Sequence, residues 1–209
     1  MSIEGSITAL VTPMNEKGDL DYNSLEKLIN FQIDSGISGL VAVGTTGESA
    51  TIDFEDHIKL IEFFIKISNG RVHIIAGTGA NSTEEALHLT REAKNLGADA
   101  ALLVSPYYNK PPQEGIYRHH AKIADEVDIP QILYNVPSRT ASFIEPETVQ
   151  RLSSHQNIIG IKDATGDMKN LSEVLKLCEE NIKSKNFFLY SGDDFSFLEF
   201  LKKGGHGTI

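Results

Sequence analysis

Gly204-Gly205-His206-Gly207-Thr208-Ile209 close the sequence, and their reading decides the fold: a tight turn leads into Gly207-Thr208-Ile209, the beginning of an eighth β-strand. Seven β-rich runs precede it, at residues 6–11, 39–43, 72–76, 100–104, 131–134, 158–162 and 187–190. Their starts lie 27 to 33 residues apart, the length of one βα unit. Amphipathic helical patterns fall between them, at 22–35, 53–69, 83–96, 114–127, 146–153, 171–181 and 195–202. Several carry their own boundary signals. Ser82-Thr83-Glu84-Glu85 reads as a capping box, Pro146 suits a first helical turn, and Gly36, Gly70 and Gly97 stand where helices end.

Continuously apolar strands must bury both faces, which requires a parallel sheet covered by helices. A doubly wound dinucleotide-binding sheet calls for a G-x-G-x-x-G turn after the first strand, but that strand runs into Val11-Thr12-Pro13-Met14. Gly77-Thr78-Gly79 after the third strand is followed by no third glycine. Seven βα units and the start of an eighth strand predict a single-domain TIM (β/α)8 barrel over residues 1–209. Such barrels typically need about 250 residues, so the 209 present imply truncation within strand eight. Strand one is then expected to lack a full partner, leaving a sticky parallel edge.

Lys plus Arg number 19 and Asp plus Glu 29, a net charge of −10 that repels phosphate backbones and argues against a nucleic-acid partner. No apolar run approaches the roughly 18 residues that cross a bilayer, and Met1-Ser2-Ile3-Glu4 lacks the basic flank of an export signal. The single cysteine, Cys178, cannot form an intrachain disulfide and sits beside Leu175 and Leu177, as a buried thiol would. A reducing cytoplasm fits this pattern.

Barrel enzymes carry their chemistry where the strands end. Strand two ends in Gly44-Thr45-Thr46-Gly47-Glu48-Ser49 and strand four in Ser105-Pro106-Tyr107-Tyr108-Asn109. Strand five ends in Tyr134-Asn135-Val136-Pro137-Ser138-Arg139-Thr140, strand six in Lys162-Asp163-Ala164-Thr165 and strand seven in Ser191-Gly192-Asp193-Asp194. Lys162 follows the buried run Ile158-Ile159-Gly160-Ile161, and a partly desolvated ammonium shifts toward the neutral amine that can attack a carbonyl and form a Schiff base. Tyr134 and Tyr108 could move protons, with Thr45 joining their hydroxyls. Arg139 offers a planar fork for a carboxylate, and the Gly-Thr-Thr-Gly loop offers backbone N–H groups for another. Taken singly, each has an ordinary structural explanation: a lysine that snorkels, tyrosines that pack, an arginine in a surface ion pair. Five such explanations at five matching strand ends are much less probable than any one of them.

Other candidates point to structure. His119 and His120 are adjacent on a helix and diverge by about 100°, which suits no shared metal site, and no H-E-x-x-H or Cys/His pair occurs. Asp193 and Asp194 read as caps for the helix beginning near Phe195. The 204–207 turn lies where many barrels bind phosphate, but no Lys or Arg follows it.

The motifs Gly44-Thr45-Thr46-Gly47-Glu48, Gly77-Thr78-Gly79-Ala80-Asn81, Tyr134-Asn135-Val136-Pro137 and Ile159-Gly160-Ile161-Lys162 give the chain, from Gly5 to Ile209, a resemblance to the dihydrodipicolinate synthase family. That family belongs to the pyruvate-dependent class I aldolases, with N-acetylneuraminate lyase. Ser138-Arg139-Thr140 after Pro137 resembles the synthase branch rather than the sugar-acid lyases. The resemblance implies an imine between Lys162 and pyruvate and a proton relay of Thr45, Tyr134 and Tyr108, the last reaching in from a neighbouring subunit. It also implies that Thr46 holds the pyruvate carboxylate, that Arg139 orients L-aspartate 4-semialdehyde, and that Gly192 and the carbonyl of Ile209 complete the wall. Neither a cofactor nor a metal is implied, and the product feeds lysine biosynthesis through diaminopimelate. Family members are usually homotetramers, dimers of dimers, and many are inhibited by lysine in a cleft matched here by Ser49, Ala50, His57, Asn81, Glu85 and Tyr107. Phe54 stands where strongly regulated members have histidine, and its hydrocarbon ring cannot supply those hydrogen bonds. The alternatives are a related aldolase acting on sialic or 2-keto-3-deoxy sugar acids, or a non-catalytic truncated remnant.

Overall fold

Apolar strands wound in one sense bury their second face most completely by closing on themselves, and the computed structural model, which describes residues 3–209, shows this closure. β1 (Gly5–Ala9), β2 (Gly39–Ala42), β3 (His73–Gly77), β4 (Ala100–Val104), β5 (Gln131–Asn135), β6 (Ile158–Asp163), β7 (Phe188–Ser191) and β8 (Gly207–Thr208) run parallel in sequence order. Met1 and Ser2, on which the export-signal reading partly rests, lie outside the described residues.

As expected, β1 lacks a full partner, since β8 covers only two of its five residues, yet those two close the ring. Gly5 pairs with Gly207 and Ser6 with Thr208, while Tyr190 and Ser191 of β7 pair with the same two residues from the other side. Two residues suffice because both their flanks are hydrogen-bonded, and Gly207 allows the approach: a Cβ there would lie 2.5 Å from the Gly5 carbonyl oxygen.

The helices are α1 (Tyr22–Asp34), α2 (Phe54–Ser68), α3 (Thr83–Leu96), α4 (Gln113–Glu126), α5 (Pro137–Thr140), α6 (Pro146–Ser153), α7 (Met168–Leu177), α8 (Glu179–Lys183) and α9 (Phe197–Lys202). Two departures from the periodicity reading are physical. The pattern at 171–181 spans two helices, because the backbone leaves helical geometry at Cys178, whose thiol is buried as expected. Pro137–Thr140 is a single turn of helix, too short for periodicity to reveal. Asp21, Asp53, Ser82 and Asp167 cap α1, α2, α3 and α7 with side-chain oxygens, and Gly36, Gly70 and Gly97 all have positive φ at helix ends.

Ile7, Val41, Ile75, Leu102, Ile132, Tyr134, Phe188 and Tyr190 fill the lumen, whereas Leu133, Ile158, Ile161 and Leu189 pack outward against the helices. β6 breaks step once. Gln131 pairs with Ile158 but Ile132 pairs with Gly160, so the bulge at Ile159 gives two successive inward residues. After it, Ile161 faces the helices and Lys162 pairs with lumen-facing Tyr134 and Tyr190. Regular alternation from Ile158 would have sent Lys162 outward.

Candidate active site

Lys162 enters the lumen near the carboxyl ends of the strands with only 6% of its surface exposed. Its Nζ stands 4.4 Å from the centroid of the Tyr134 ring. Burial, helped by the nearby Arg139 guanidinium and opposed by Asp194, brings the amine down to about 8, so a useful neutral fraction exists near neutral pH. The wall around it is close. A Cβ on Gly192 would lie 2.7 Å from Lys162 Cε and 3.0 Å from the Ala164 Cβ, which explains a glycine there.

Tyr134 is also buried, and burial pushes its phenol up. The Thr45 hydroxyl, within hydrogen-bonding reach, and Arg139 oppose that rise. A phenol kept protonated beside a partly neutral amine can donate to an oxygen developing at the carbon the amine attacks. Thr45 and Thr46 project from an exposed turn that Thr12 holds from the end of β1, its hydroxyl donating to the Gly47 carbonyl at 2.7 Å. Val43, at the end of β2, and Glu48 have left-handed backbones, φ 52° and 61°. Such a conformation is costly for a β-branched valine and sits at the entrance to this turn.

Ile209 is half-buried against the lumen cluster, its N–H donating to the Ser191 carbonyl at 2.9 Å. Thus Lys162, Tyr134, Thr45, Arg139 and Gly192 converge at one mouth. Tyr108 stands apart in this chain: it is 89% exposed and held at φ 74°, its N–H donating to the Thr140 carbonyl at 3.3 Å.

Beside this mouth lies a cavity of about 350 Å³ that Thr45 and Arg139 share with Ser49, Ala50, His57, Glu85 and Tyr107. Asn81 adjoins it through its backbone, which hydrogen-bonds the Tyr107 phenol, while burial and the Glu85 carboxylate push that phenol up. His57 Nε2 donates to the Gly77 carbonyl at 2.7 Å, and burial holds the ring below the ordinary histidine range. Phe54 lines the same cavity and meets His88 edge to face.

Sequence reasoning assigned Asp193 and Asp194 to capping alone. Asp193 does hold the turn before α9, accepting the Ser196 N–H at 2.9 Å, but Asp194 also acts on Lys162 through its charge. Its place two residues after Gly192, at a strand end, was the available signal. His119 and His120 are buried structural residues, and His119 Nδ1 meets the Thr83 hydroxyl at 2.8 Å. No helix among the described residues is long and apolar enough to cross a membrane.

The 4-hydroxy-tetrahydrodipicolinate synthase of Alcanivorax borkumensis is 55% identical over 207 residues, which are 99% of this chain and 69% of that protein. The corresponding synthase of Pseudomonas putida is 56% identical over the same shares of each chain. The crystal structure of the chloride-inhibited dihydrodipicolinate synthase from Acinetobacter baumannii complexed with pyruvate superposes with a TM-score of 0.94 at 50% identity, covering 100% of this chain and 70% of that one. The model of the dihydrodipicolinate synthetase family matches residues 2–209, and the chain belongs to that family.

Proposed function

We propose that this barrel condenses pyruvate with L-aspartate 4-semialdehyde to 4-hydroxy-tetrahydrodipicolinate, as the synthases it is similar to are named for, through an imine on Lys162. The observation that carries the proposal is a desolvated amine, at about 8, facing a phenol at the lumen mouth. The neutral amine adds to the keto carbon of pyruvate. The keto oxygen leaves as water, with Tyr134 and Thr45 moving the protons, and an iminium remains. Loss of a methyl proton gives the enamine, whose carbon bonds to the aldehyde carbon of the second substrate while the aldehyde oxygen takes up a proton. The substrate's own amine then attacks the iminium carbon, closes the ring and releases Lys162.

Thr46, with the backbone of its turn, takes the pyruvate carboxylate, and Arg139 takes that of the semialdehyde. Gly192 and the Ile209 carbonyl bound the pocket. Tyr108, too exposed to serve its own chain's site, completes the relay of a second copy. A homotetramer built from such pairs, working in the cytoplasm on the diaminopimelate route to lysine, follows from this reading. The adjoining cavity, with Ser49, Ala50, His57, Asn81, Glu85 and Tyr107, is the place for a lysine effector, altered by Phe54.

Borohydride reduction in the presence of pyruvate tests the central step. The expected result is a covalent adduct on the Lys162-containing peptide; a folded protein that gives no adduct overturns the reading.

A further inference from the structure

Behind the lysine, on the outer face of the barrel, lies a buried carboxylate that the chemistry above does not use. Asn135, Asp163 and Ser191 are register partners on β5, β6 and β7, so they form a polar row between strands and helices, and all three are buried. The Asp163 side chain accepts the Thr165 N–H at 2.8 Å and the Asn170 side-chain amide from the first turn of α7. Its main-chain carbonyl accepts the Gly192 N–H at 2.8 Å, and the next N–H, that of Ala164, donates to the Asn135 carbonyl at 2.9 Å. Gly192 and Ala164 are the close wall around the Lys162 side chain. One residue therefore ties the loop after β6 to α7 through its carboxylate and to the pocket wall through its backbone.

We propose that Asp163 is a positioning residue for Lys162, its buried carboxylate fixing the strand end, Ala164 and Gly192 so that the amine is held over the Tyr134 ring. The role rests on the imine reading. Even with the N–H and hydroxyl of Thr165 and the Asn170 amide on it, a buried carboxylate is costly to keep, and an apolar residue would fill the space at lower cost. The geometry it enforces is what the chemistry needs, since misplacing a reacting group by about 1 Å can cost 10²-fold in rate.

The test is the rate of borohydride-trappable imine formation with pyruvate, measured across pyruvate concentrations together with thermal melts. Asp163→Ala is expected to lower the rate at saturating pyruvate by about 10–100-fold while the half-saturating concentration changes by less than about threefold. Asp163→Asn is expected to restore the rate to within about threefold of the parent. Its amide oxygen can accept the Thr165 N–H, and its NH₂ can donate to Asn170 Oδ1, a buried atom without a partner at present. Asn170→Leu, of similar volume and outside the lumen, is expected to lower the rate in the same sense and carries the test if Asp163→Ala does not fold. A folded Asp163→Ala, or in its absence a folded Asn170→Leu, that traps pyruvate at the parent rate overturns the proposal. A parent protein that forms no adduct overturns the imine reading itself, and that failure is seen before any substitution is made.

Discussion

Tyr134 and Lys162 are register partners on adjacent parallel strands, and the pairing sets the amine 4.4 Å from the centre of the phenol ring. Neither group could lie elsewhere without breaking the β5–β6 ladder. The reacting pair is built into the sheet, while Thr45, Thr46 and Arg139 reach it from the turn after β2 and from α5.

The lysine titration sets a pH profile. An amine at about 8 is roughly one-tenth neutral at pH 7 and nine-tenths neutral at pH 9, so the rate of pyruvate trapping should rise about tenfold between them. A midpoint near the ordinary lysine value would show the amine to be solvated.

Tyr134→Phe keeps the ring that packs in the lumen and removes only the proton donor. Turnover should fall about 10²–10⁴-fold, the range of general acid–base contributions, with the melting temperature nearly unchanged. Parent-like turnover would remove the phenol from the mechanism.

Arg139→Ala separates the two substrates. The loss of a charge-assisted contact to the semialdehyde carboxylate should lower kcat/KM for that substrate by about 10–150-fold. Pyruvate trapping, whose imine step uses Lys162, Tyr134, Thr45 and Thr46 but not Arg139, should fall much less. Equal losses in both assays would place Arg139 on pyruvate instead.

Gly192 and Gly77 should fail differently when a methyl is added. At Gly192 the Cβ meets the flexible Lys162 side chain at 2.7 Å, so Gly192→Ala should fold while trapping pyruvate about 10²-fold more slowly. At Gly77 it would lie 2.3 Å from the Val43 carbonyl oxygen, where only backbone could yield, so Gly77→Ala should lose the folded protein. Circular dichroism melts alongside trapping rates distinguish the two.

Acid should loosen the layer between α3 and α4. Burial lowers His119 to about 4 and holds His120 well below the ordinary histidine range, and both ring nitrogens of His120 lack hydrogen-bond partners. Both histidines are depressed on folding, so the unfolded chain binds protons first. Their contribution to stability is complete above about pH 6.5 and is lost as pH falls toward 4. His120→Leu should raise the melting temperature at pH 5 more than at pH 8. The same gain at both values would mean that packing, not protonation, governs the site.

The barrel was legible because its strands are apolar on both faces and recur at an even spacing, a pattern that few folds accommodate. Lys162, Tyr134, Thr45 and Arg139 were legible because each stands at the end of such a run. Periodicity missed α5 and the interruption at Cys178, since four residues carry too little pattern and a single non-helical residue leaves the apolar stripe nearly intact. The incomplete partner of β1 was legible from the short eighth strand; that two residues of β8, hydrogen-bonded on both flanks, still close the ring was not. The charge of Asp194 on Lys162 was hidden behind a capping role that its neighbour fills.

The single break of step at Ile159 makes the lysine motif a matter of number as well as identity. Excising one residue between Ile158 and Lys162 would remove the bulge, and three regular steps from outward-facing Ile158 would still bring the amine into the lumen beside Tyr134. An even pleat kept at the present length would instead turn the amine to the helix side, so the bulge and the residue count are matched to each other.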